Sequence, residues 1–284
     1  MHGPDQRLGC STITFRHRPL DEALAQIREL GFAEIDLGAL PGVCDHVPQV
    51  LDKRGIRSVA ASVQASGLSV RSINADVGDL NEPIDADTQG ARDLHVAALI
   101  ELAREVGSGA IVLPCGRQNL DPIVDENTDL DLVANQLHRA AQAVRAAGIE
   151  LWVEALHSLR LCHNAKRATA LVRRLDPKCV GIVYDVSHVV AAQDDVREYL
   201  AALNERVVHV HLRDAVPGDI HLSIGNGDVD FADLLDALAE RDYAGHYALE
   251  LETRDVVEAQ RPAATARAAQ YISELLSNVH AAAG

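Results

Sequence analysis

IELWVEALH (residues 149–157) and GIVYDVSH (residues 181–188) each hold a mostly apolar run that closes on an acidic residue, Glu154 and Asp185. A short aliphatic run of this kind reads as a strand buried on both faces, as in a parallel sheet. Outward from this pair, six more runs share the pattern. RLGCSTITF from Arg7, EIDLGAL from Glu34, LSVRSINAD from Leu68 and AIVLPCG from Ala110 precede it, and VVHVHLRD from Val207 and HYALELE from His246 follow. The total is eight.

Helical patterns separate the strands. LDEALAQIRELG sets Leu20, Leu24, Ile27 and Leu30 on one stripe and stops at Gly31. Residues 87–107 repeat the pattern with Leu94, Ala98, Leu102 and Val106, and so do 129–148, 166–175, 192–203, 230–245 and 256–277. Gly31, Gly107, Gly148 and Gly245 each close a helix just before a strand, the rhythm of a parallel βαβ array. Eight alternations predict a closed (β/α)8 barrel of the TIM type, and the missing G-x-G-x-x-G after the first strand speaks against an open dinucleotide-binding sheet. No Pro- or Gly-rich linker divides the chain, so residues 1–284 are expected to form one domain, with a frayed tail at 281–284.

Composition narrows the class. Apolar residues make up 48% and aromatics 3%, so Ala, Val and Leu must fill the core. A formal charge of −16 argues against nucleic acid, whose binding draws on neutralised phosphates. The five cysteines form no C-x-x-C pair, which fits a reducing compartment. The N-terminus has no apolar signal core and no stretch approaches 18 apolar residues. The expectation is a cytoplasmic protein with no membrane partner.

Chemistry in such barrels sits where the strands end. The fifth to eighth strand candidates end on Glu154, Asp185, His211 and Glu250. Three converging carboxylates are costly in a protein interior unless a cation offsets them. Three oxygens and one nitrogen suit Mn2+, Co2+, Zn2+ or Fe2+, with Mn2+ the first choice and Mg2+ served better by an all-oxygen shell. Side chains two apart share a strand face, so Glu252 rivals Glu250 and His209 rivals His211, each about 7 Å further along at roughly 3.3 Å per residue. Arg213 lies one pair beyond His211, where it could hold a substrate.

The chain resembles the sugar phosphate isomerase/epimerase family, whose members have a xylose isomerase-like TIM barrel. Ketose 3-epimerases, inosose isomerases and dehydratases and hydroxypyruvate isomerase are among them. The carrying motifs are STITF, ELGFAEIDL, WVEALH, GIVYDVSH, HVHLRD, IGNGDVDF and YAGHYALELE, in order over almost the whole length. The resemblance implies a metal at Glu154, Asp185, His211 and Glu250, an acid/base pair in Glu154 and Glu250, and contact between His188 and a substrate oxygen. It also leads one to expect a homo-oligomer. Asn74 and His46 are placed on the substrate half of the mouth, and GNGD around Gly225 to Asp228 is a turn entering the next helix.

A cation beside an α-hydroxy ketone stabilises the enediolate left when a base removes the intervening proton. Its return on the other face gives isomerisation or epimerisation of a small sugar, ketose or cyclitol. The alternative is a dehydratase on a cyclitol ketone or dehydroshikimate-like substrate. It needs a further acid/base, for which the loop after the fifth strand offers His157 and His163. Arg160, Arg16 and Arg117 could hold a carboxylate or phosphate. The family's repair nucleases need extra histidine ligands, but here the third and fourth strands end on Asn74–Asp76 and on Pro114, Cys115 and Gly116. Nuclease activity is therefore not expected.

Overall fold

The computed structural model describes residues 3–283, apart from the side chains of residues 204 and 280–283. Ten strands follow in chain order: β1 (Leu8–Ser11), β2 (Glu34–Ala39), β3 (Ser69–Ala75), β4 (Ala110–Pro114), β5 (Glu150–Glu154), β6 (Val180–Asp185), β7 (Val207–Leu212), β8 (Asp214–Val216), β9 (Asp219–Leu222) and β10 (His246–Leu249). Eight of them close a parallel barrel in the order β1-β10-β7-β6-β5-β4-β3-β2. These are the eight expected strands. The other two, β8 and β9, form an antiparallel hairpin just after β7 that the sequence pattern did not suggest.

Alternation along each strand builds two environments. Ile35, Leu37, Ile73, Ile111, Leu151, Ile182, Val210 and Leu249 belong to the large core shared with the helices. Inside the barrel Ala110, Val112, Trp152 and Val183 form a separate apolar plug. The interior is thus packed at one end and polar toward the other, as barrels that carry chemistry at their C-terminal mouth require.

Nine helices are described: α1 (Leu20–Glu29), α2 (Lys53–Ser66), α3 (Ala86–Val106), α4 (Glu126–Ala146), α5 (Ala165–Val172), α6 (Val186–Ala191), α7 (Val196–Leu203), α8 (Phe231–Ala239) and α9 (Arg261–Ala283). Side-chain oxygens of Asp52, Asp85, Asp125, Asn164 and Asp230 cap α2, α3, α4, α5 and α8 by accepting a backbone N–H of the first turn. Gly31, Gly107 and Gly148 take positive φ after α1, α3 and α4, as helix-ending glycines should. Gly245 does otherwise. The turn after α8 is made by Asp242 at φ 54°, while a Cβ on Gly245 would stand 2.4 Å from the Tyr243 hydroxyl, so a side chain is excluded there for space.

Three expectations for the helices are corrected. Helix α2, whose buried positions are Ile56, Val59 and Val63, stands where no helix was expected. In α3 the inner face is Arg92, Val96, Leu99, Ile100, Leu102 and Ala103, and Leu94 is 74% exposed, because the helix packs between α2 and α4. The last helix begins at Arg261 and continues to Ala283; of the supposed frayed tail only Gly284 lies outside the described residues. No helix among the described residues is long and apolar enough to cross a membrane.

Candidate active site

Strand register brings the acidic ends together. Asp185 of β6 pairs with His211 of β7, and β10 pairs with β7 through Leu249 and Leu212, so Glu250 enters beside Arg213. Asp185, His211 and Glu250 offer ligand atoms that all lie within 4.8 Å of one another. His211 Nδ1 is 3.4 Å from Glu250 Oε2. Glu154 of β5 falls in an adjoining group with His157 and His188, again within 4.8 Å. The two groups meet at His188, whose Nε2 is 3.0 Å from Glu154 Oε1 and 3.8 Å from Asp185 Oδ2.

The cluster is nearly dry. Asp185 and His211 side chains are fully buried, Glu250 is 6% and Glu154 13% exposed. Arg213, also buried, supplies the countercharge: its Nη2 donates to Asp185 Oδ2 at 3.0 Å and stands 3.8 Å from Glu250 Oε2. Asp185 Oδ1 accepts from the Ser187 N–H and hydroxyl. Burial alone would raise the Asp185 carboxyl; Arg213, His188 and His211 outweigh it and hold it below the usual range. Glu250 follows the same logic, with His211 the main opponent of desolvation. For His211, burial disfavours the charged ring, but Glu250 and Asp36 prevail and raise it well above the usual imidazole value.

The residues present fit a divalent cation. Glu154 Oε1 and both nitrogens of His211 are buried without an aligned hydrogen bond, although carboxylates or His188 stand close by. Buried polar atoms are rarely left so, and groups of this donor chemistry converging on one spot are what a cation satisfies.

Backbone donors fix the neighbouring rings. The Ser158 N–H donates to His188 Nδ1 at 3.2 Å, and the Leu159 N–H donates to His157 Nδ1 at 3.2 Å. A neutral ring held in this way, as that of His157 is, carries its hydrogen on Nε2. The two rings lie against each other, tilted by 31°, with centroids 3.9 Å apart. Burial, then the charges of His188, Arg160 and Arg213, hold His157 well below the usual imidazole range, so it is neutral.

These residues wall a cavity of about 520 Å3 at the C-terminal mouth, lined among others by Asn74, Glu154, His157, His188, Arg213 and Glu250. A larger one, about 660 Å3, opens at the opposite end over Arg71, Trp152 and Tyr243. It contains none of the clustered ligand groups, so the smaller cavity is the candidate site.

Other expected residues are sorted by the same geometry. Asn74 Nδ2 donates to Glu250 Oε1 at 2.9 Å, so it orients that carboxylate as well as lining the mouth. Glu252 is ion-paired with Arg16 and lies 3.7 Å from Arg213 Nη1, apart from the ligand groups. Arg160 is held by Asp76 and the Gly116 carbonyl, and Arg117 donates to the Asp121 carbonyl without lining the cavity. His163 turns to Arg167. His46 is not at the mouth: it sits buried under its loop between Cys44 Sγ at 3.3 Å and the Arg18 carbonyl at 3.0 Å. Cys115 is fully buried. In the GNGD turn the N–H groups of Gly225 and Gly227 donate to Asp214, which makes the turn a fastened loop.

One part of the site was not anticipated. Asp36 of β2 lies beneath His211, accepting from Ser72 at 2.7 Å and contacting His209 Nε2 at 2.8 Å and His211 Nε2 at 3.3 Å. Its sequence signal was present: an acidic residue between Ile35 and Leu37 in an otherwise apolar strand. Burial works against its charge, and His209 and His211 more than offset this, holding the carboxyl far below its usual range.

The family model described as xylose isomerase-like TIM barrel matches residues 24–275. This chain belongs to that family. An inosose dehydratase of Geobacillus kaustophilus is 24% identical over 94% of this chain and 90% of its own. A putative hydroxypyruvate isomerase of Streptomyces coelicolor is 28% identical over 90% and 94%. Among solved structures, an L-ribulose 3-epimerase superposes with a TM-score of 0.77 at 20% identity, covering 98% of this chain and 97% of its own. The IOLI protein with a bound zinc atom gives 0.73 at 16% identity, covering 96% and 99%. At these identities the structural likeness speaks for the barrel fold.

Proposed function

We propose that the chain is a divalent-metal-dependent isomerase or epimerase of a small uncharged sugar, ketose or cyclitol, acting through an enediolate. The observation that carries this reading is the convergence of Asp185, His211 and Glu250 within 4.8 Å, with Glu154 and His188 on one flank. Glu154, Asp185, His211 and Glu250 would hold the cation, Mn2+ by preference for this donor set. When bound, it would supply a Lewis acid that polarises a carbonyl and acidifies the neighbouring C–H.

The protein's own groups divide the remaining work. Glu154, whose Oε1 has no aligned donor, takes the proton beside the carbonyl. Glu250, across the cavity and steadied by Asn74, passes a proton taken up from solvent to the opposite face, while Glu154 keeps the one it removed. His188, with its hydrogen on Nε2, donates to the oxygen on which charge develops. Arg213 and His157 hold the hydroxyls of the substrate. Three of the four arginines lining the cavity already have a carboxylate partner, which supports a substrate without phosphate.

A dehydratase reading has one observation of its own: His157, its ring against that of His188 in the cavity wall, is a further group that can donate a hydrogen bond to a departing hydroxyl. The relative named inosose dehydratase is compatible with the same first proton abstraction. Incubating Mn2+-loaded protein with ketoses and cyclitol ketones in D2O separates the readings. Deuterium in an isomeric product supports the isomerase or epimerase, and a dehydrated enone supports the dehydratase. Full retention of protium in every substrate, with cation bound, would sink both.

A further inference from the structure

We propose that Asp36 is the positioning residue of the metal centre, accepting the Nε2 proton of His211 so that Nδ1 is presented to Asp185 and Glu250. The inference rests on the metal-site reading above and goes further by naming what sets the ligand atom. His211 stands between two carboxylates, Nε2 3.3 Å from Asp36 Oδ2 and Nδ1 3.4 Å from Glu250 Oε2. Neither contact is aligned as a hydrogen bond, so the ring alone has no preferred nitrogen for a cation.

Asp36 is fixed where His211 is not. Ser72 donates to its Oδ1 at 2.7 Å and His209 meets its Oδ2 at 2.8 Å, and all three side chains are at most 1% exposed. The two donors come from β3 and β7, so the carboxylate is braced across the barrel. His209 is braced in turn by the plug, its ring 5.5 Å from that of Trp152. A buried carboxylate with one aligned donor per oxygen keeps a lone pair on Oδ2 for a second proton. His211 Nε2 is the only other donor near it among the described contacts.

Asp36, His209 and His211 could themselves be taken for a cation site, since their ligand atoms cluster within 4.8 Å. Spacing argues otherwise. Two donors on one ion at about 2.1 Å stand roughly 3.4 Å apart in a tetrahedral shell. The 2.8 Å between Asp36 Oδ2 and His209 Nε2 is a hydrogen-bond distance. A ligating histidine whose second nitrogen donates to a carboxylate has its tautomer and orientation fixed, and losing such a partner typically weakens metal binding about 10- to 100-fold.

The test measures Zn2+ and Mn2+ affinity by calorimetry for the native chain, Asp36→Asn and Asp36→Glu. The melting temperature of each metal-free protein is recorded alongside. Asp36→Asn is expected to bind about 10- to 100-fold more weakly while still melting cooperatively, with Asp36→Glu recovering part of the loss. Equal affinity in a folded Asp36→Asn overturns the inference and leaves the metal site standing. Absence of cation binding by the native chain overturns both. Should Asp36→Asn not fold, 15N spectra of the Zn2+-loaded native chain decide. A protonated Nε2 on His211 supports the proposal, and a protonated Nδ1 defeats it.

Discussion

At Glu250 one oxygen accepts from Asn74 and the other faces His211, whereas Glu154 Oε1 is buried with no aligned donor. The difference follows from the barrel: β10 sits between β7 and β1, across the cavity from Asn74, while β5 sits beside the loop that carries His157 and Ser158. His211 yields a test at this scale. Its raised value favours the doubly protonated ring in the metal-free protein, and a cation must displace a proton from it. Cation affinity should therefore climb by up to about tenfold per pH unit below the raised value and level off above it. The linkage to folding has the opposite sign. Because the folded value exceeds the unfolded one, His211 stabilises the metal-free protein fully below about pH 6.5, and that contribution is lost as pH rises through the folded value. Calorimetry at pH 7 in buffers of different ionisation heat should report about one proton released per cation; no release would contradict the assignment. The four strand-end residues were legible because each closes an apolar run. Asp36 was harder to read: an acid between Ile35 and Leu37 marks it as unusual, but its role shows only once its partners Ser72 and His209 are seen around it.

Strands were easier to read than helices because burial on both faces leaves an unbroken apolar run, while a helix shows only a stripe. In α2 the stripe is short, Ile56, Val59 and Val63, and it opens with Lys53, Arg54 and Gly55, which hides the start that Asp52 caps. In α3 the apolar Leu94 lies outside and Arg92 inside, because the guanidinium reaches the carbonyls of Val77 and Asp79 in the preceding loop. The β8–β9 hairpin was invisible for another reason: its strands span only three and four residues, and the loop that follows is fastened by Asp214. That buried carboxylate accepts from the N–H groups of Ala215, Gly225, Gly227 and Val229 at 2.7–3.2 Å. Replacing it by Ala strands four donors, so Asp214→Ala should cost about 2–4 kcal/mol in urea unfolding and remove exchange protection from residues 225–229. A Cβ on Gly227 would lie 2.3 Å from Asp214 Oδ1, so Gly227→Ala should behave similarly. Native stability in both variants would show that the loop is held by other means.

Over the whole molecule, the main apolar core runs between barrel and helices, and the clustered ligand groups lie toward the C-terminal mouth. The rhythm of eight apolar runs made this layout legible, because each βα unit repeats the same burial demand. We propose that residues 1–284 fold as one unit. Metal-free protein should then unfold in a single cooperative transition by calorimetry, and Mn2+ at 100 times its dissociation constant should add about 2.7 kcal/mol. Two resolved transitions would contradict one unit, and an unmoved midpoint would contradict a native-state cation.

The most direct measurement titrates Mn2+ into the native chain and into the isosteric double variant Asp185→Asn/Glu250→Gln. One cation per native chain is expected, with affinity at least about 100-fold weaker in a folded double variant. A native chain that takes up no cation, or a double variant that binds as tightly as the native chain, would contradict the account.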